Sequence, residues 1–375
     1  MAQRTRTSRP WLPPLPSAEL ATVRIAICNW KDLAHPARGG AEVFVHEVGR
    51  RWVDQGHQVR LLCAAVDGRP DAESVDGIEV RRRGTRFGVY RSVRQELADS
   101  TAAWADVLID SINTRPFLDP GRAGAPVLGL AYQVCREIWF DEMPFVVAVG
   151  GRYVLEPRWL RAYRGTTVAT ISSSSRASLL GYGLDDVRVV TIGASVVDPG
   201  PVAKASLPTA VFVGRLASNK GPQHALAAFA RARVEVPDAE LIVVGDGPLG
   251  PSLRSADPPG VRFVGRLDEV QKARVVKASD VIVVPSRREG WGLVVTEAAA
   301  LGTPSVAFDV PGLRDSVLAS RMGSLVAPNV QALASGLVLA LGRRERPSPT
   351  PPPKWDTTAR ELIALLDERA GASRT

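Results

Sequence analysis

Short apolar runs rich in β-branched residues alternate with stretches of helical periodicity from about residue 22 to residue 340. This alternation is typical of parallel sheets covered by helices. Several runs are apolar at every position, as strands buried on both faces are. We therefore predict an α/β protein with strands at 23–28, 57–65, 78–82, 106–112, 126–132, 167–172, 187–193, 209–216, 240–245, 261–265, 280–286, 304–308 and 324–328.

Two proline-rich segments divide the chain. The first, ASVVDPGPVAKASLP at 194–208, separates two sets of strand runs, and 375 residues are too many for one ordinary core. The second, RPSPTPPPKW at 346–355, precedes a helical pattern with Asp356 as the expected N-cap and leucines on one face. We predict a tail (1–20), a first Rossmann-like domain (21–195), a second one (196–345), and a linker with a C-terminal helix that has the reach to pack on the first domain (346–375).

Composition narrows the class of protein. Hydrophobic residues make up 45% of the chain and charged residues 23%, as in soluble globular proteins. The N-terminal twenty residues lack the apolar segment of a secretory signal, so we expect a cytoplasmic protein. Its cysteines, Cys28, Cys63 and Cys135, have no metal-ligand spacing and are expected to be free thiols.

The net charge of +8 favours an anionic partner, which could be a nucleic acid, a membrane surface or a phosphorylated small molecule. Six arginines lie within RRRGTRFGVYRSVR at 81–94, but few aromatic residues accompany them for base stacking. The stretch is more typical of a strand end and loop than of an amphipathic helix with a broad apolar face. We expect no nucleic acid, and we favour a soluble small molecule over a membrane.

Loops that follow strands are the candidate binding segments, because open α/β sheets bind ligands beyond the carboxyl ends of their strands. Gly39 and Gly40 precede a predicted helix, where backbone amides and the helix dipole favour a phosphate. Arg215 and Lys220 bracket a turn before a helix that starts at Pro222, and two such cations suit a diphosphate. Each pattern alone is also compatible with an ordinary turn.

The segment GDGPLG at 245–250 matches the glycine fingerprint of dinucleotide-binding proteins. We reject this interpretation, since only about ten residues, including DPPG, separate it from the next strand run. That leaves no room for the long crossover helix of a nicotinamide-binding unit.

Two carboxylates follow the strand run at 280–286. Glu289 lies in a turn that contains Gly290 and Gly292, and Glu297 lies in the first turns of a helical pattern that begins at Leu293. Glu297 is suited to accept hydrogen bonds from the vicinal hydroxyls of a ribose, and Glu289 could take those of a second sugar. Both glutamates could instead be solvated. Taken with the cations, the loops predict a nucleotide sugar as ligand.

Several segments resemble successive signatures of the retaining glycosyltransferases of family 4, which have two Rossmann-like domains (the GT-B fold). They span about 39–315, and the most specific is the pair of glutamates eight positions apart. The segments are GGAEVFVHEVGRRW, FVGRLASNKGPQHALAAF, LIVVGDGPL, FVGRL and EGWGLVVTEAAALGTPSVAFDVPGLRD.

The resemblance implies roles for these residues. The first domain would take the acceptor and the second the donor, with catalysis by Arg215, Lys220 and Glu289. Glu297 would bind ribose, Glu289 the donor sugar, and cations with amides would replace a metal cofactor at the leaving diphosphate. The implied donor-binding residues are Gly39, Gly40, Arg215, Lys220, Arg266, Leu267, Glu289, Gly290, Trp291, Gly292, Leu293 and Glu297.

One position departs from the family. Tyr132 stands where relatives commonly have a histidine that contacts the donor sugar. A phenol fills more space and offers one hydroxyl, so we expect a 6-deoxy, amino-deoxy or pentose donor. The expected activity is metal-independent retaining transfer to a small-molecule acceptor, such as one of specialised metabolism. The alternatives are a membrane-associated enzyme with a lipid-linked acceptor and a nucleotide-sugar-binding protein without turnover.

Overall fold

The computed structural model describes residues 22–85, 88–344 and 347–372, and it contains two sheets. The predicted tail (1–20) lies outside the described residues. The first sheet has the order β3-β4-β2-β1-β5-β6-β7-β8 and is parallel except for β3, which pairs antiparallel with β4. Its strands are Arg24–Cys28 (β1), Gln58–Cys63 (β2), Ala72–Val75 (β3), Ile78–Arg82 (β4), Val107–Ile112 (β5), Val127–Ala131 (β6), Val168–Thr170 (β7) and Val187–Val189 (β8).

The second sheet is parallel throughout, in the order β11-β10-β9-β12-β13-β14. Strand β9 lies at its centre, with Val211 opposite Ile242 on one side and Ile282 on the other. The four inner strands are largely buried because helices cover both faces, whereas the edge strands β11 and β14 are partly exposed. The six strands are Thr209–Val213 (β9), Glu240–Val244 (β10), Val261–Gly265 (β11), Val281–Val284 (β12), Ser305–Phe308 (β13) and Gly323–Val326 (β14).

Helices connect the parallel strands, as crossover connections require. Two π-helical segments, Leu97–Thr101 and Gly151–Leu155, continue neighbouring α-helices. The α-helices are Gly40–Asp54 (α1), Val89–Glu96 (α2), Ala102–Trp104 (α3), Ile138–Glu142 (α4), Phe145–Gly150 (α5), Glu156–Arg161 (α6), Ser173–Leu180 (α7), Pro222–Glu235 (α8), Gly250–Ser255 (α9), Glu269–Ala278 (α10), Leu293–Ala300 (α11), Leu313–Ser320 (α12), Val330–Arg343 (α13) and Trp355–Ala372 (α14).

The C-terminal helix α14 returns to the first sheet. The indole Nε1 of Trp52 in α1 donates to the carbonyl of Ala359 at 3.0 Å. Leu362 and Leu366 are 1% exposed and belong to the same apolar cluster as Ile25 of β1. The helix therefore completes the layer that covers this face of the first sheet. Across the described ranges, no helix has both the length and the apolar character needed to cross a membrane.

Every predicted strand is present, with ends shifted by a few residues, and two elements differ from the prediction. Strand β3 was not predicted, because its sequence AESV is polar and lies at the exposed edge of the sheet. The prediction of a loop after residue 82 was wrong for 89–94, which belong to α2. The rejection of the dinucleotide fingerprint at 245–250 agrees with the fold, since the following helix α9 has six residues.

Candidate active site

The second sheet reverses its strand order between β9 and β12. The chain builds β10 and β11 on one side of β9, and then β12, β13 and β14 on the other. A crevice forms at the carboxyl end of such a sheet, where the loops after the two central strands diverge. One loop, 214–221, carries Arg215 and Lys220, and the other, 285–292, carries Glu289. The fold therefore brings these predicted site residues to the same edge.

Lys220 and Glu289 are in direct contact across this crevice. The Lys220 ammonium donates to Glu289 Oε1 at 2.5 Å, with side chains that are 33% and 14% exposed. Arg215 is exposed, and it makes no ion pair with any described residue. The edge of the sheet thus holds a partly buried carboxylate with one cation bound to it and a second cation close by in sequence.

Helix α11 begins at the same edge. Its N-cap Gly292 has φ 89°, in the left-handed region, and a Cβ there would lie 2.7 Å from Leu313 Cδ2. A side chain at this position would strain the turn that aims the helix N-terminus, and hence the amides near Trp291 and Leu293, at the crevice. At Gly290 a Cβ would lie 2.8 Å from the Tyr132 carbonyl oxygen, so this loop touches the first domain.

Glu297 has a partner that the sequence did not suggest. Lys272 of α10 lies 3.0 Å from Glu297 and 2.7 Å from Glu269. Burial opposes the charge of Lys272, but the two carboxylates outweigh it and raise the pKa of the ammonium. Lys272 thereby forms an ion pair with Glu297 at the wall of a narrow pocket. The pocket is lined by Ser195, Val196, Val197, Val213, Glu269, Lys272, Ala273, Val276, Ile282, Val294, Glu297 and Leu301.

The loop before α10 carries two of the predicted donor-binding residues. Arg266 is exposed and Leu267 is half-buried, immediately after β11 ends at Gly265. The loop leads into Asp268, which caps α10 by accepting from the Gln271 amide at 2.7 Å. The structure therefore places both residues near the pocket lined by Glu269 and Lys272.

The paired glycines lie at the start of α1, as predicted. The Gly39 amide donates to Glu42 Oε2 at 2.6 Å, and Glu42 is buried. This amide already donates to a carboxylate. Its predicted role as a hydrogen-bond donor to a phosphate is therefore limited. A Cβ at Gly40 would lie 3.5 Å from Leu293 Cδ1, so the N-termini of α1 and α11 meet across the cleft.

Tyr132 lies in the core of the first domain. Its ring packs edge-on against Phe44, with the ring centroids 5.4 Å apart. Its hydroxyl accepts from Ser111 Oγ at 3.3 Å and donates to the Ala41 carbonyl at 3.4 Å. Burial raises the pKa of the phenol well above its usual range. The hydroxyl is therefore committed to protein partners, and the contact of Tyr132 with the donor sugar or the acceptor stays a prediction.

Gln133, the next residue, was not predicted as a site residue. It follows the end of β6, and its Oε1 atom is buried without a hydrogen-bond partner among the described residues. An unsatisfied buried acceptor is costly unless a ligand or water satisfies it. Position after a strand end was the only sequence signal that could have identified Gln133.

A second cavity, of about 200 Å³, opens in the first domain. The buried Arg82 guanidinium donates to Asp32 Oδ2 at 2.8 Å and also pairs with Glu73. The cavity adjoins the start of α1 and is lined by charged and apolar side chains together. Its lining consists of Asp32, Leu33, Ala34, Glu42, His46, Leu61, Arg69, Glu73, Val75, Val80 and Arg82.

Ion pairs connect the two domains beside the cleft. Arg287 lies 2.6 Å from Asp141, and Arg288 lies 2.9 Å from Glu137, so the loop before Glu289 is anchored to α4 and the residue preceding it. The two arginines directly precede Glu289, and this anchoring fixes the position of the loop relative to the first domain.

Intramolecular ion pairs occupy the first three arginines of the basic stretch 81–94. Arg81 pairs with Glu79 and Glu96, and Arg82 is buried in the cavity wall described above. Helix α2 buries Val89 and Val93 in the first domain. The described residues of this stretch, 81–85 and 88–94, therefore offer no broad apolar surface.

The two facing Rossmann-like domains, with charged loops gathered at a switch point, define a GT-B glycosyltransferase. The chain belongs to a glycosyltransferase family of this class. Residues 38–196 match Glycosyltransferase Family 4, and residues 207–342 match Glycosyl transferases group 1. The resemblance seen in the sequence is thereby confirmed, and the protein is a glycosyltransferase.

Two curated relatives extend this result. The chain is 33% identical to the 2-deoxystreptamine N-acetyl-D-glucosaminyltransferase of Streptomyces fradiae, over 90% of this chain and 88% of that one. It is 28% identical to D-inositol 3-phosphate glycosyltransferase 2 of Catenulispora acidiphila, over 77% and 78%.

Solved structures share the fold. A sucrose-phosphate synthase from Thermosynechococcus elongatus superposes with a TM-score of 0.72 at 21% identity, covering 93% of this chain and all of that one. Anabaena Alr3699/HepE in complex with UDP-glucose gives a TM-score of 0.62 at 16% identity, covering 92% of this chain and all of that one.

Proposed function

We propose that this glycosyltransferase transfers a sugar, with retention of configuration, from a nucleoside diphosphate to a hydroxyl or amine of a small polyol. The Lys220–Glu289 contact carries the proposal, because it joins the loops after the two strands that flank the reversal in strand order. A cation and a sugar-binding carboxylate at this point suit a donor whose diphosphate and sugar lie side by side.

In the proposed reaction, the bond between the anomeric carbon and the diphosphate oxygen breaks as the acceptor oxygen or nitrogen bonds to the same face of that carbon. The acceptor proton passes to the departing phosphate oxygen. Lys220, Arg215 and the amides at the start of α11 stabilise the charge that develops on the diphosphate, so that no metal is required. Glu297, ion-paired with Lys272, binds the ribose hydroxyls.

The acceptor class is supported by the first-domain cavity and by the relatives. The cavity, about 200 Å³ in volume, has charged side chains such as Asp32, Arg69 and Glu73 in its lining, and these can form hydrogen bonds with a hydroxyl-rich molecule. The names of two relatives specify inositol 3-phosphate and 2-deoxystreptamine, which are both cyclitols. A cyclitol of specialised metabolism is therefore our proposed acceptor.

A donor and acceptor screen tests this function. The full chain is incubated with sugars linked to UDP, GDP, ADP or dTDP, with myo-inositol, inositol 3-phosphate or 2-deoxystreptamine, and with excess EDTA. Mass spectrometry detects the product, and NMR of its anomeric proton gives the configuration. An inverted product would contradict the proposed mechanism, and nucleotide binding without any transfer would favour the non-catalytic alternative.

A further inference from the structure

The first domain exposes an unusual apolar surface beside the cleft. Eight large apolar side chains between residues 140 and 155 are 36% to 82% exposed. Contiguous exposed apolar surface on a soluble protein marks a site of interaction. We call this surface the apolar face; its residues are Phe140, Phe145, Val146, Val147, Val149, Tyr153, Val154 and Leu155.

The apolar face cannot be buried by rotation of its helix. The opposite side of the helix is fixed by Ala148, which is fully buried in a cluster with Trp139. A Cβ at Gly151 would lie 2.4 Å from the Trp139 ring, so the glycine allows the backbone to pack closely there. This packing directs Phe145, Val146 and the rest of the apolar face to solvent.

The exposed charges that follow the apolar face are all positive. Between residues 143 and 165 they are Arg158, Arg161 and Arg164, while Arg152 is half-buried and donates to the Tyr182 hydroxyl at 2.9 Å. None of the four makes an ion pair with a carboxylate in the part of the chain that the structure describes. The sole acidic residue of the segment, Glu156, is 2% exposed and accepts internal hydrogen bonds. The segment thus combines exposed apolar side chains with uncompensated positive charge.

We propose that the apolar face docks on an anionic membrane surface. Interfacial helices combine exposed apolar side chains with arginines in this way, since the former enter the acyl boundary and the latter bind anionic headgroups. A protein partner would need an acidic rim around an apolar patch. An anionic bilayer supplies both an apolar acyl region and negatively charged headgroups. The apolar face is separate in sequence from the basic stretch 81–94, whose pattern favoured a soluble small molecule over a membrane.

Docking would place the cleft next to the bilayer. Asp141, next to Phe140, is ion-paired with Arg287 in the loop that leads to Glu289. The apolar face therefore borders the mouth of the candidate active site. This inference goes beyond the proposed function and does not depend on it, because binding is measured without either substrate.

Co-sedimentation of the full chain with vesicles tests the proposal. We expect binding to phosphatidylcholine vesicles that contain phosphatidylglycerol, reduced by salt and much weaker on pure phosphatidylcholine. Phe145→Ser with Val146→Ser should lower the partition coefficient at least ~10-fold, because both apolar insertions are lost. Arg158→Gln with Arg161→Gln should lower it roughly 10- to 30-fold on anionic vesicles only.

Matched variants provide the controls. Val234→Ser changes an equally exposed valine of the second domain, and Arg91→Gln with Arg94→Gln changes two exposed arginines of the basic stretch. Both should bind vesicles as the unchanged chain does, and thermal melts and nucleoside diphosphate binding confirm that all variants are folded. Absence of vesicle binding, or equal losses in controls and test variants, would overturn the proposal. So would a dimer in sedimentation velocity that the Phe145/Val146 variant dissociates, since a second copy would then cover the apolar face.

Discussion

Replacement of Lys220 by methionine should weaken nucleoside diphosphate binding by two separable effects. The variant removes a charge-assisted hydrogen bond to the ligand, worth about 1.5–3 kcal/mol. It also leaves Glu289, which is 14% exposed and 2.5 Å from the lysine nitrogen, without its counter-ion beside an anionic ligand. Repulsion across about 6 Å adds at most ~3 kcal/mol, reduced by solvent because the lysine side chain is 33% exposed. We expect a total of about 2–4 kcal/mol, or roughly 30- to 1,000-fold.

The double variant Lys220→Met with Glu289→Gln separates these effects. The glutamine removes the unpaired charge, so binding should recover by about 1–2 kcal/mol relative to the single variant, or roughly 5- to 30-fold. Isothermal titration with UDP, GDP and ADP measures the affinity. Lys204→Met is the control, since Lys204 lies 2.8 Å from Asp280 at the opposite end of β12 and should affect stability without affecting affinity.

Two results would refute this reasoning. Unchanged affinity in Lys220→Met would mean that the diphosphate binds elsewhere. If the double variant binds no better than the single one, Glu289 does not face the ligand, and its assignment to the donor sugar fails as well.

Three further predictions concern other residues. Glu297→Gln should weaken nucleoside diphosphate binding about 10-fold even without a sugar, whereas Glu289→Gln should mainly lower turnover; equal losses of binding in calorimetry would contradict this division. Because the Tyr132 hydroxyl is committed to Ser111 and Ala41, donors whose sugar lacks a 6-hydroxyl should be preferred roughly 5- to 150-fold in kcat/KM. A glucose donor that is used at least as well as the matching 6-deoxyglucose and xylose donors would disprove this. Burial raises the pKa of Asp110 to about 6, so its carboxyl favours folding most when protonated, and this stability is lost as pH rises from about 4 to 6. Relative to Asp110→Asn, the unfolding free energy of the unchanged chain should therefore fall by about 2 kcal/mol between pH 4 and pH 7 in urea titrations, and a constant difference would contradict the shift.

The strands and the donor-side residues were predictable because they depend on local pattern. Apolar runs fix parallel strands, and ligands bind after strand ends, so Lys220 and Glu289 could be named without coordinates. Their contact at 2.5 Å follows from the strand order, which places β9 beside β12.

The remaining features depend on tertiary packing. Lys272 reaches Glu297 because α10 and α11 flank one pocket, and Arg82 meets Asp32 from fifty positions away along the chain. The Tyr132 ring turns inward because Phe44 of α1 offers it an edge-on contact. No periodicity or spacing in the sequence encodes these pairings.

The return of α14 to the first sheet makes the polypeptide pass between the domains twice. The two passages are tied together, since the Ala194 amide donates to the Pro353 carbonyl at 3.0 Å. Two adjacent covalent connections between the domains allow bending about one axis and resist twisting. Opening of the cleft should therefore be a hinge motion about a single axis. The first domain is consequently assembled from discontinuous sequence. A gene fragment that ends near residue 345 would lack α14 and leave Trp52, now 1% exposed, facing water.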